Sequence, residues 1–249
     1  MNSFLSIIIP SFNESENIAK GVLDEVDKYL FSQKYEWEII LVDDGSTDGT
    51  LEDLQKLVKG KKNWRLIKSS YQGKAQTVKA GIMEATGDLV LFTDFDQATP
   101  LSEVEKLFPF LQKGYDAAIG SREVKGSERL KEPWYRHLMG KVFNLVVQLF
   151  TIQGISDTQC GFKLFTNHVA KDLFNSLVVY ANGLETTAFT GAFDVELLYI
   201  AQKRGYRIAE VPVSWKYVKT IRVNPIRDSI RMFLDVLRIR ITDLFGGYK

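Results

Sequence analysis

The chain has 249 residues, of which 45% are hydrophobic and 25% charged, and its formal net charge is +1. These values are typical of a folded soluble protein; they exclude a largely disordered chain and a general attraction to nucleic acid. The single cysteine, Cys160, excludes an internal disulfide and favours a reducing compartment, so we predict a cytoplasmic protein. We expect neither a secretory signal nor a membrane-spanning helix, since no run reaches about 18 apolar residues.

The first part of the chain alternates between two sequence patterns. Short apolar runs predict strands, and apolar residues at helical spacing predict the helices between them. Strands that alternate with helices indicate an α/β protein with a mostly parallel, helix-covered sheet. The predicted strands are residues 5–10, 37–42, 64–67, 89–93 and 117–120, and the predicted helices lie within residues 18–30, 51–58, 75–82 and 101–111.

The predicted strand at residues 89–93 leads directly to two carboxylates, Asp94 and Asp96. Side chains two residues apart on an extended backbone point to the same face, so we expect both carboxylates at the carboxyl end of this strand. Ligands of open α/β sheets bind at this end, and two oxygen donors without a nearby His or Cys suit Mg²⁺ or Mn²⁺ bridging a phosphate. The alternative is a solvated turn that caps a helix near Pro100.

The second half of the chain has a different character. A charged loop begins at Arg122, and a helix running from residue 134 toward residue 152 is apolar around most of its circumference. Such a helix either packs in a core or lies in a membrane interface. A polar stretch at residues 157–163 precedes a short helix, a further helix begins within residues 191–198, and residues 208–213 are predicted to form a strand.

The C-terminal tail, residues 216–249, carries eight Lys or Arg against three Asp, with apolar residues at helical spacing. This pattern predicts a basic amphipathic helix. Together with the apolar helix at residues 134–152, it would provide an interface anchor and a charge match to anionic lipid. The alternative is that the apolar helix packs on the sheet and the tail pairs two protomers, which would make the protein a homo-oligomer.

Five motifs follow one another along the chain: Ile-Ile-Ile-Pro-Ser-Phe-Asn-Glu at residues 7–14, Val-Asp-Asp-Gly-Ser-Thr-Asp-Gly-Thr at 42–50, Gly73-Lys74, Asp94-Phe95-Asp96 and Gly120-Ser121-Arg122. Together they resemble the family-2 glycosyltransferases, which have a GT-A fold. Within that family, the stretches at residues 157–163 and 192–198 resemble the polyprenyl-phosphate sugar synthases, particularly the dolichyl-phosphate glucosyltransferases. The resemblance covers about residues 5–213.

The resemblance implies a GT-A catalytic domain at residues 1–215, built on a single Rossmann-like sheet. Its nucleotide-sugar half would be residues 1–120 and its acceptor half residues 121–215, followed by the tail at 216–249 with amphipathic helices. The implied enzyme is an inverting hexosyltransferase that moves a hexose from a nucleotide sugar to a polyprenyl phosphate, dolichyl or undecaprenyl. We expect glucose from UDP-glucose, with mannose or another hexose and GDP as the alternatives. It would be peripherally attached to the cytoplasmic face of a membrane.

Two alternatives to this function are a same-fold glycosyltransferase that acts on a sugar hydroxyl of a glycolipid or capsular polysaccharide, and a non-catalytic nucleotide-sugar-binding or membrane-scaffold module. Asp94 and Asp96 argue for catalysis, because the cation they would hold, Mg²⁺ or Mn²⁺, stabilises charge on a leaving diphosphate. For the loop at residues 43–50, the alternative to a nucleotide contact is that it only caps the helix that follows. The residues predicted to contact the nucleotide sugar are Pro10, Phe12, Asn13, Glu14, Asp43, Asp44, Gly73, Lys74 and Asp94.

The chemistry of the acceptor decides which other residues take part. A lipid phosphate is already ionised at neutral pH and needs no general base, whereas a sugar hydroxyl would require a carboxylate within hydrogen-bond reach. Asp157 and Asp194 are the candidate bases, although Asp194 could instead be the N-terminal residue of a helix. A lipid phosphate would be held by cations, and the candidates are Arg122, Lys125, Arg129 and Lys163. The alternative for Arg122 and Arg129 is that they are solvated charges of a surface loop and bind no acceptor.

Overall fold

The computed structural model describes residues 3–70, 72–181, 191–218 and 225–248, which form a seven-stranded sheet and a separate two-stranded sheet. The strands are β1 (Leu5–Ser11), β2 (Trp37–Asp43), β3 (Trp64–Lys68), β4 (Leu89–Thr93), β5 (Ala117–Ser121), β6 (Glu128–Leu130), β7 (Phe162–Thr166), β8 (Ile208–Pro212) and β9 (Ser214–Lys216). The helices are α1 (Ser15–Ala19), α2 (Val22–Phe31), α3 (Thr50–Val58), α4 (Lys74–Glu84), α5 (Val104–Gln112), α6 (Trp134–Phe150), α7 (Asn167–Asn175), α8 (Phe193–Lys203) and α9 (Pro225–Leu244).

The large sheet has the strand order β3-β2-β1-β4-β7-β5-β8. The pairs β1–β2, β1–β4, β2–β3 and β5–β8 are parallel, so the predicted mostly parallel sheet is confirmed. Strand β7 runs antiparallel between β4 and β5 and was not predicted as a strand. The second residue of β7 is Lys163. Because this charged residue interrupts the apolar run, the sequence pattern does not indicate a buried strand.

Side chains of β1 alternate between two apolar clusters on opposite faces of the large sheet. Ile8 lies in the cluster that includes buried residues of α4 and α8, whereas Ile7 and Ile9 lie in the one that includes α2 and α5. Helix α4 approaches β1 closely at Gly81, where an added Cβ would lie 2.5 Å from Cγ2 of Ile8 and 3.0 Å from Cγ2 of Val42. Both neighbours are β-branched, and their side chains cannot easily move away.

Two predicted helices differ from the observed ones. The pattern at residues 18–30 is divided between α1 and α2 by Gly21, whose φ of 74° lies in the left-handed region. The helix predicted at residues 101–111 begins with a 3₁₀ turn, Leu101–Glu103, before α5. Glycine adopts positive φ at little cost, so Gly21 can separate α1 from α2. The apolar spacing alone would predict one continuous helix there.

The predicted amphipathic tail helix corresponds to α9, while residues 219–224 and 249 of the predicted tail lie outside the described residues. Helix α9 packs against α6 and α8 and buries Val236 and Ile239 completely. Residues 214–216 already pair with β6, so this end of the chain is tied to the rest by a strand as well as by a helix. The domain boundary at residue 215 stays a prediction. None of the described helices is both long and apolar enough to cross a membrane.

We predict that Gly81→Ala lowers the free energy of unfolding by about 1–3 kcal/mol, because the new methyl group overlaps Ile8 in a close-packed core. Chemical denaturation measures this change. Gly140→Ala on α6 is the matched control: no atom lies within 4 Å of its added Cβ, so stability should stay unchanged or rise by up to about 1 kcal/mol. Equal effects of the two substitutions would contradict the packing described for α4.

Candidate active site

The loops that follow β1 and β2 carry most of the predicted nucleotide contacts and lie side by side, because Ser11 pairs with Asp43 in the parallel register. Asn13, at a φ of 54°, accepts a hydrogen bond from the backbone N–H of Thr47 at 2.8 Å. The N–H of Glu14 donates to the Thr50 hydroxyl at 2.7 Å. These bonds join the two loops into one surface. The other predicted donor contacts here are Pro10, which is buried in β1, and Phe12, which is half-buried beside Asn13.

Two neighbouring carboxylates fix the loops around this surface. Asp43 accepts hydrogen bonds from the N–H groups of Gly45 and Ser46, both at 3.1 Å, and so holds its own loop. Asp44 accepts the N–H groups of Gln72 and Gly73, both at 2.9 Å. Gly73 directly precedes α4, so the predicted nucleotide residue Asp44 also determines where that helix begins. The loop at residues 43–50 therefore does more than cap α3.

The predicted metal ligands follow β4 in a turn and are not part of an extended strand, which corrects the expectation for their backbone. The N–H of Gln97 donates to the carbonyl of Asp94 at 3.3 Å, and Gln97 has a φ of 48°. Asp96 accepts the N–H of Ala98 at 3.0 Å. The N–H of Asp94 donates to the carbonyl of Gly161 at 3.2 Å, and a Cβ on Gly161 would overlap the Asp94 carboxylate. Only glycine at this position leaves room for Asp94.

The electrostatics of this turn fit a divalent cation. Burial and then the negative charge of Asp94 raise the pKa of Asp96 to about 6, so its ionised form lacks full compensation. The described part of the chain has no cluster of three or more His, Cys, Asp or Glu side chains that could hold a metal. A site of two carboxylates is what Mg²⁺ uses when phosphate and water supply its other ligands, and hard oxygen donors also suit Mn²⁺.

Lys74, the first residue of α4, lies at the same site. Its ammonium donates a hydrogen bond to Oδ1 of Asp94 at 2.5 Å. Burial alone would lower the pKa of Lys74, but the charges of Asp94, Asp194 and Asp96 raise it above its usual value. The residue predicted to contact the nucleotide sugar is therefore held, as a cation, by the predicted metal ligand.

Arg122 forms an ion pair with the buried carboxylate of Asp157 in the predicted acceptor half. Nε and Nη2 of Arg122 donate to the two carboxylate oxygens at 2.7 and 2.8 Å, and the backbone N–H of Arg122 donates at 2.9 Å. Burial disfavours ionisation of Asp157, but the guanidinium outweighs it and lowers the pKa of Asp157 to about 2. Glu210 accepts the N–H groups of Ser156 and Asp157, which holds this loop. Asp157 is thus a poor general base.

The other predicted acceptor residues differ in their surroundings. Lys163 has no exposed surface, and its ammonium donates to Asp194 and to the carbonyl of Cys160, both at 2.5 Å. The position of Lys163 in β7 explains this burial and does not support the predicted contact with an acceptor phosphate. Asp194 lies in the first turn of α8 but is not its N-terminal residue, which is Phe193, and it pairs with Lys163. Lys125 is exposed.

Arg129 lies in a pocket of about 230 Å³ that is bordered by α6, α9 and the loop after β5. Its guanidinium contacts Glu123 and Glu132 and donates from Nε to the carbonyl of Arg122 at 2.9 Å. Sequence reasoning missed Arg136, a cation on the predicted apolar helix that also lines this pocket. Three arginines, four carboxylates and several apolar side chains line the pocket: Arg122, Arg129, Arg136, Glu123, Glu132, Asp157, Asp228, Met139, Phe143, Trp215 and Met232.

Solved structures with the same fold define the class of protein. Mannosyl-3-phosphoglycerate synthase from Rubrobacter xylanophilus matches with a TM-score of 0.67 at 21% identity, over 98% of this chain and 76% of that chain. Glucosyl-3-phosphoglycerate synthase from Mycobacterium tuberculosis, in complex with Mn²⁺, UDP and glucosyl-3-phosphoglycerate, matches with a TM-score of 0.61 at 19% identity, over 96% and 79%. The sheet and the helices that cover it have the GT-A fold of these glycosyltransferases, as predicted.

Sequence comparison gives the family. The family model described as "Glycosyl transferase family 2" matches residues 6–174. Dolichyl-phosphate beta-glucosyltransferase from Dictyostelium discoideum is 34% identical over 100% of this chain and 77% of its own length. The protein of that name from Saccharomyces cerevisiae is 34% identical over 99% and 77%. The chain belongs to glycosyl transferase family 2, which confirms the resemblance inferred from its motifs.

We predict that Gly161→Ala weakens Mn²⁺ binding by about 10- to 100-fold, since displacing a group that positions a metal ligand has effects of this size. The added methyl group would push the Asp94 carboxylate out of place. Titration of Mn²⁺ followed by electron paramagnetic resonance, in the presence of UDP, measures the affinity. Unchanged binding by a correctly folded variant would mean that the position of Asp94 does not matter for the metal.

Proposed function

We propose that this protein transfers glucose from UDP-glucose to a polyprenyl phosphate, with inversion at the anomeric carbon and with Mg²⁺ or Mn²⁺ bound by Asp94 and Asp96. The observation that carries the choice of acceptor is that both candidate bases are buried carboxylates paired with cations, Asp157 with Arg122 and Asp194 with Lys163. A hydroxyl acceptor needs a base that can take its proton, whereas an ionised phosphate does not. The names of the relatives support both the sugar and a dolichyl phosphate acceptor.

On the donor side, the proposed roles follow from the loops at the carboxyl edge of the sheet. Asn13, Glu14, Asp43 and Asp44 would surround the base and the ribose, since their oxygens can accept hydrogen bonds from N–H and hydroxyl groups. Pro10, Phe12 and Gly73 would shape the surface beside them. The divalent cation, when bound, stabilises the charge that develops on the leaving diphosphate. Lys74 is close enough to the same carboxylates to add a second positive charge there.

On the acceptor side, the arginine-lined pocket would hold the lipid phosphate. The phosphate oxygen attacks the anomeric carbon, the bond from this carbon to the donor oxygen breaks, and UDP leaves with the electron pair. Arg122 is fixed by its bidentate pair with Asp157 and so presents the rest of its guanidinium in a defined orientation. Arg129 and Arg136 line the same pocket, and exposed Lys125 lies in the loop beside it. A single displacement of this kind inverts the configuration.

The surface around this pocket supports peripheral attachment to a membrane. Trp134 is 79% exposed and Leu149 is 72% exposed on α6, and Phe245, just after α9, is 88% exposed. Phe150 and Phe233 pack edge to face and join the two helices. A lipid phosphate must reach the pocket from a membrane, and the pocket lies between these helices. Attachment to the cytoplasmic face and the oligomeric state stay predictions. Other exposed apolar residues on the two helices are Leu138, Val142, Leu145, Ile230, Leu234, Ile241 and Leu244.

We expect purified protein to convert labelled UDP-glucose and polyprenyl phosphate into an organic-soluble product that mild acid hydrolyses. Chelation of divalent cations should abolish the product, and fresh Mg²⁺ or Mn²⁺ should restore it. An acid-stable labelled glycolipid or polysaccharide would instead favour the hydroxyl-acceptor alternative. Binding of UDP-glucose without turnover on any of these acceptors would favour the non-catalytic module.

We predict that the double substitution Trp134→Ser and Leu149→Ser reduces binding to anionic phospholipid vesicles by at least about tenfold. The reason is that burial of one large apolar side chain contributes about 1.5–3 kcal/mol. Vesicle co-sedimentation measures the binding. Phe31→Ser is the matched control, because Phe31 is 90% exposed but lies on α2. If the double variant changed the oligomeric state and left vesicle binding intact, the surface would pair protomers.

A further inference from the structure

Lys74 has an unusual place among the cations of this site. Its ammonium contacts Oδ1 of Asp94 at 2.5 Å and is also attracted by Asp194 and Asp96. Lys163 has no exposed surface in its pair with Asp194, whereas the Lys74 side chain is 23% exposed and that of Asp94 is 36% exposed. Lys74 therefore offsets part of the charge of the acidic site while its side chain stays partly exposed.

The backbone on both sides of this contact is held in place. The backbone N–H of Asp94 donates to the carbonyl of Gly161. Because Gly161 has no side chain, the carboxylate of Asp94 fits beside it. The start of α4 is fixed by Asp44, which accepts the N–H groups of Gln72 and Gly73. The ammonium of Lys74, in contrast, lies at the end of a flexible four-carbon chain. It can move away from Asp94 while the helix and the carboxylate stay where they are.

A divalent cation and the ammonium compete for the same carboxylate. Lys74 contacts Oδ1 of Asp94, and a metal ion bound at either oxygen of that carboxylate would lie close to the ammonium, so the two positive groups repel each other. A diphosphate bound at this edge would provide new negative charge, and the Lys74 ammonium could move from Asp94 to form an ion pair with it. The donor would thereby release Asp94 for the metal.

We propose that Lys74 is an internal counter-ion that occupies Asp94 before the donor binds and moves to the donor's diphosphate when the metal arrives. This inference rests on the proposed metal site at Asp94 and Asp96. It implies that the divalent cation binds weakly alone and tightly with nucleotide, because the diphosphate removes the competitor. The coupling is reciprocal, so the metal must tighten nucleotide binding by the same factor.

The alternative is an ion pair that only fixes the start of α4. In that case, removal of the charge at position 74 would reduce stability without strengthening metal binding. The two accounts predict opposite results for Mn²⁺ alone, which requires neither substrate nor turnover to measure.

The test is a titration of Mn²⁺, followed by electron paramagnetic resonance, with and without UDP. We expect Lys74→Met to bind Mn²⁺ alone at least tenfold more tightly than the wild type. The factor by which UDP increases the Mn²⁺ affinity should be at least tenfold smaller in this variant than in the wild type. Lys74→Arg, which keeps the charge, should resemble the wild type, and so should Lys79→Met on the same helix. Affinity for Mn²⁺ alone that is unchanged or weaker in Lys74→Met would overturn the inference.

Thermal unfolding covers the case in which Lys74→Met is unstable. A ligand raises the midpoint according to its affinity for the folded state, so Mn²⁺ should raise the midpoint more in Lys74→Met than in the wild type. An equal or smaller rise would again overturn the inference. Asp96→Asn separates this failure from that of the proposed function: if Asp96→Asn leaves Mn²⁺ binding with UDP intact, the metal site itself is misassigned. If it weakens that binding while Lys74→Met has no effect, only the role of Lys74 is wrong.

Discussion

Negative charge collected at the carboxyl edge of the sheet is the constraint on which the rest of the site depends. A carboxylate removed from water is costly unless a cation or several N–H groups compensate it. Asp44 is compensated by the N–H groups of the loop before α4, and that loop is thereby fixed. In the acceptor half, Asp157 is compensated by Arg122 and Asp194 by Lys163. Each of these contacts also positions a loop or a helix. The interactions that compensate the carboxylates therefore help to determine the local backbone structure.

The proposed donor side and the proposed acceptor side compensate their carboxylates in different ways. Burial, and after it the negative charge of Asp94, raises the pKa of Asp96 in the turn after β4. Lys74 offsets part of that charge from a partly exposed position. On the proposed acceptor side, three arginines line the pocket beside four carboxylates, and a lipid phosphate would share the guanidinium groups with them. On the proposed donor side, a nucleotide sugar that binds with a divalent cation would bring positive charge to the turn after β4.

Much of the fold could be predicted because its strands are continuous apolar runs that end at polar loops. The loops after β1, β2 and β4 could be predicted to lie at one edge of the sheet for the same reason, since parallel strands bring their carboxyl ends together. Strand β7 could not be predicted, because Lys163 makes it resemble a loop and its partner Asp194 is distant in sequence. The pairing of Asp157 with Arg122 and the place of Arg136 in the pocket also depend on long-range contacts that no local pattern contains. The sugar preference rests on the relatives and not on any residue pattern.

The central claim is that Asp94 and Asp96 seat the divalent cation that completes this acidic edge. Anomalous diffraction from crystals soaked with UDP and Mn²⁺ tests it directly, because the signal locates the metal without reference to activity. The account predicts a single strong anomalous peak within coordination distance of a carboxylate oxygen of Asp94 or Asp96 and of the diphosphate, with the Lys74 ammonium displaced from Asp94. A Mn²⁺ peak bound to other residues, with UDP in place and neither carboxylate in contact, would contradict it.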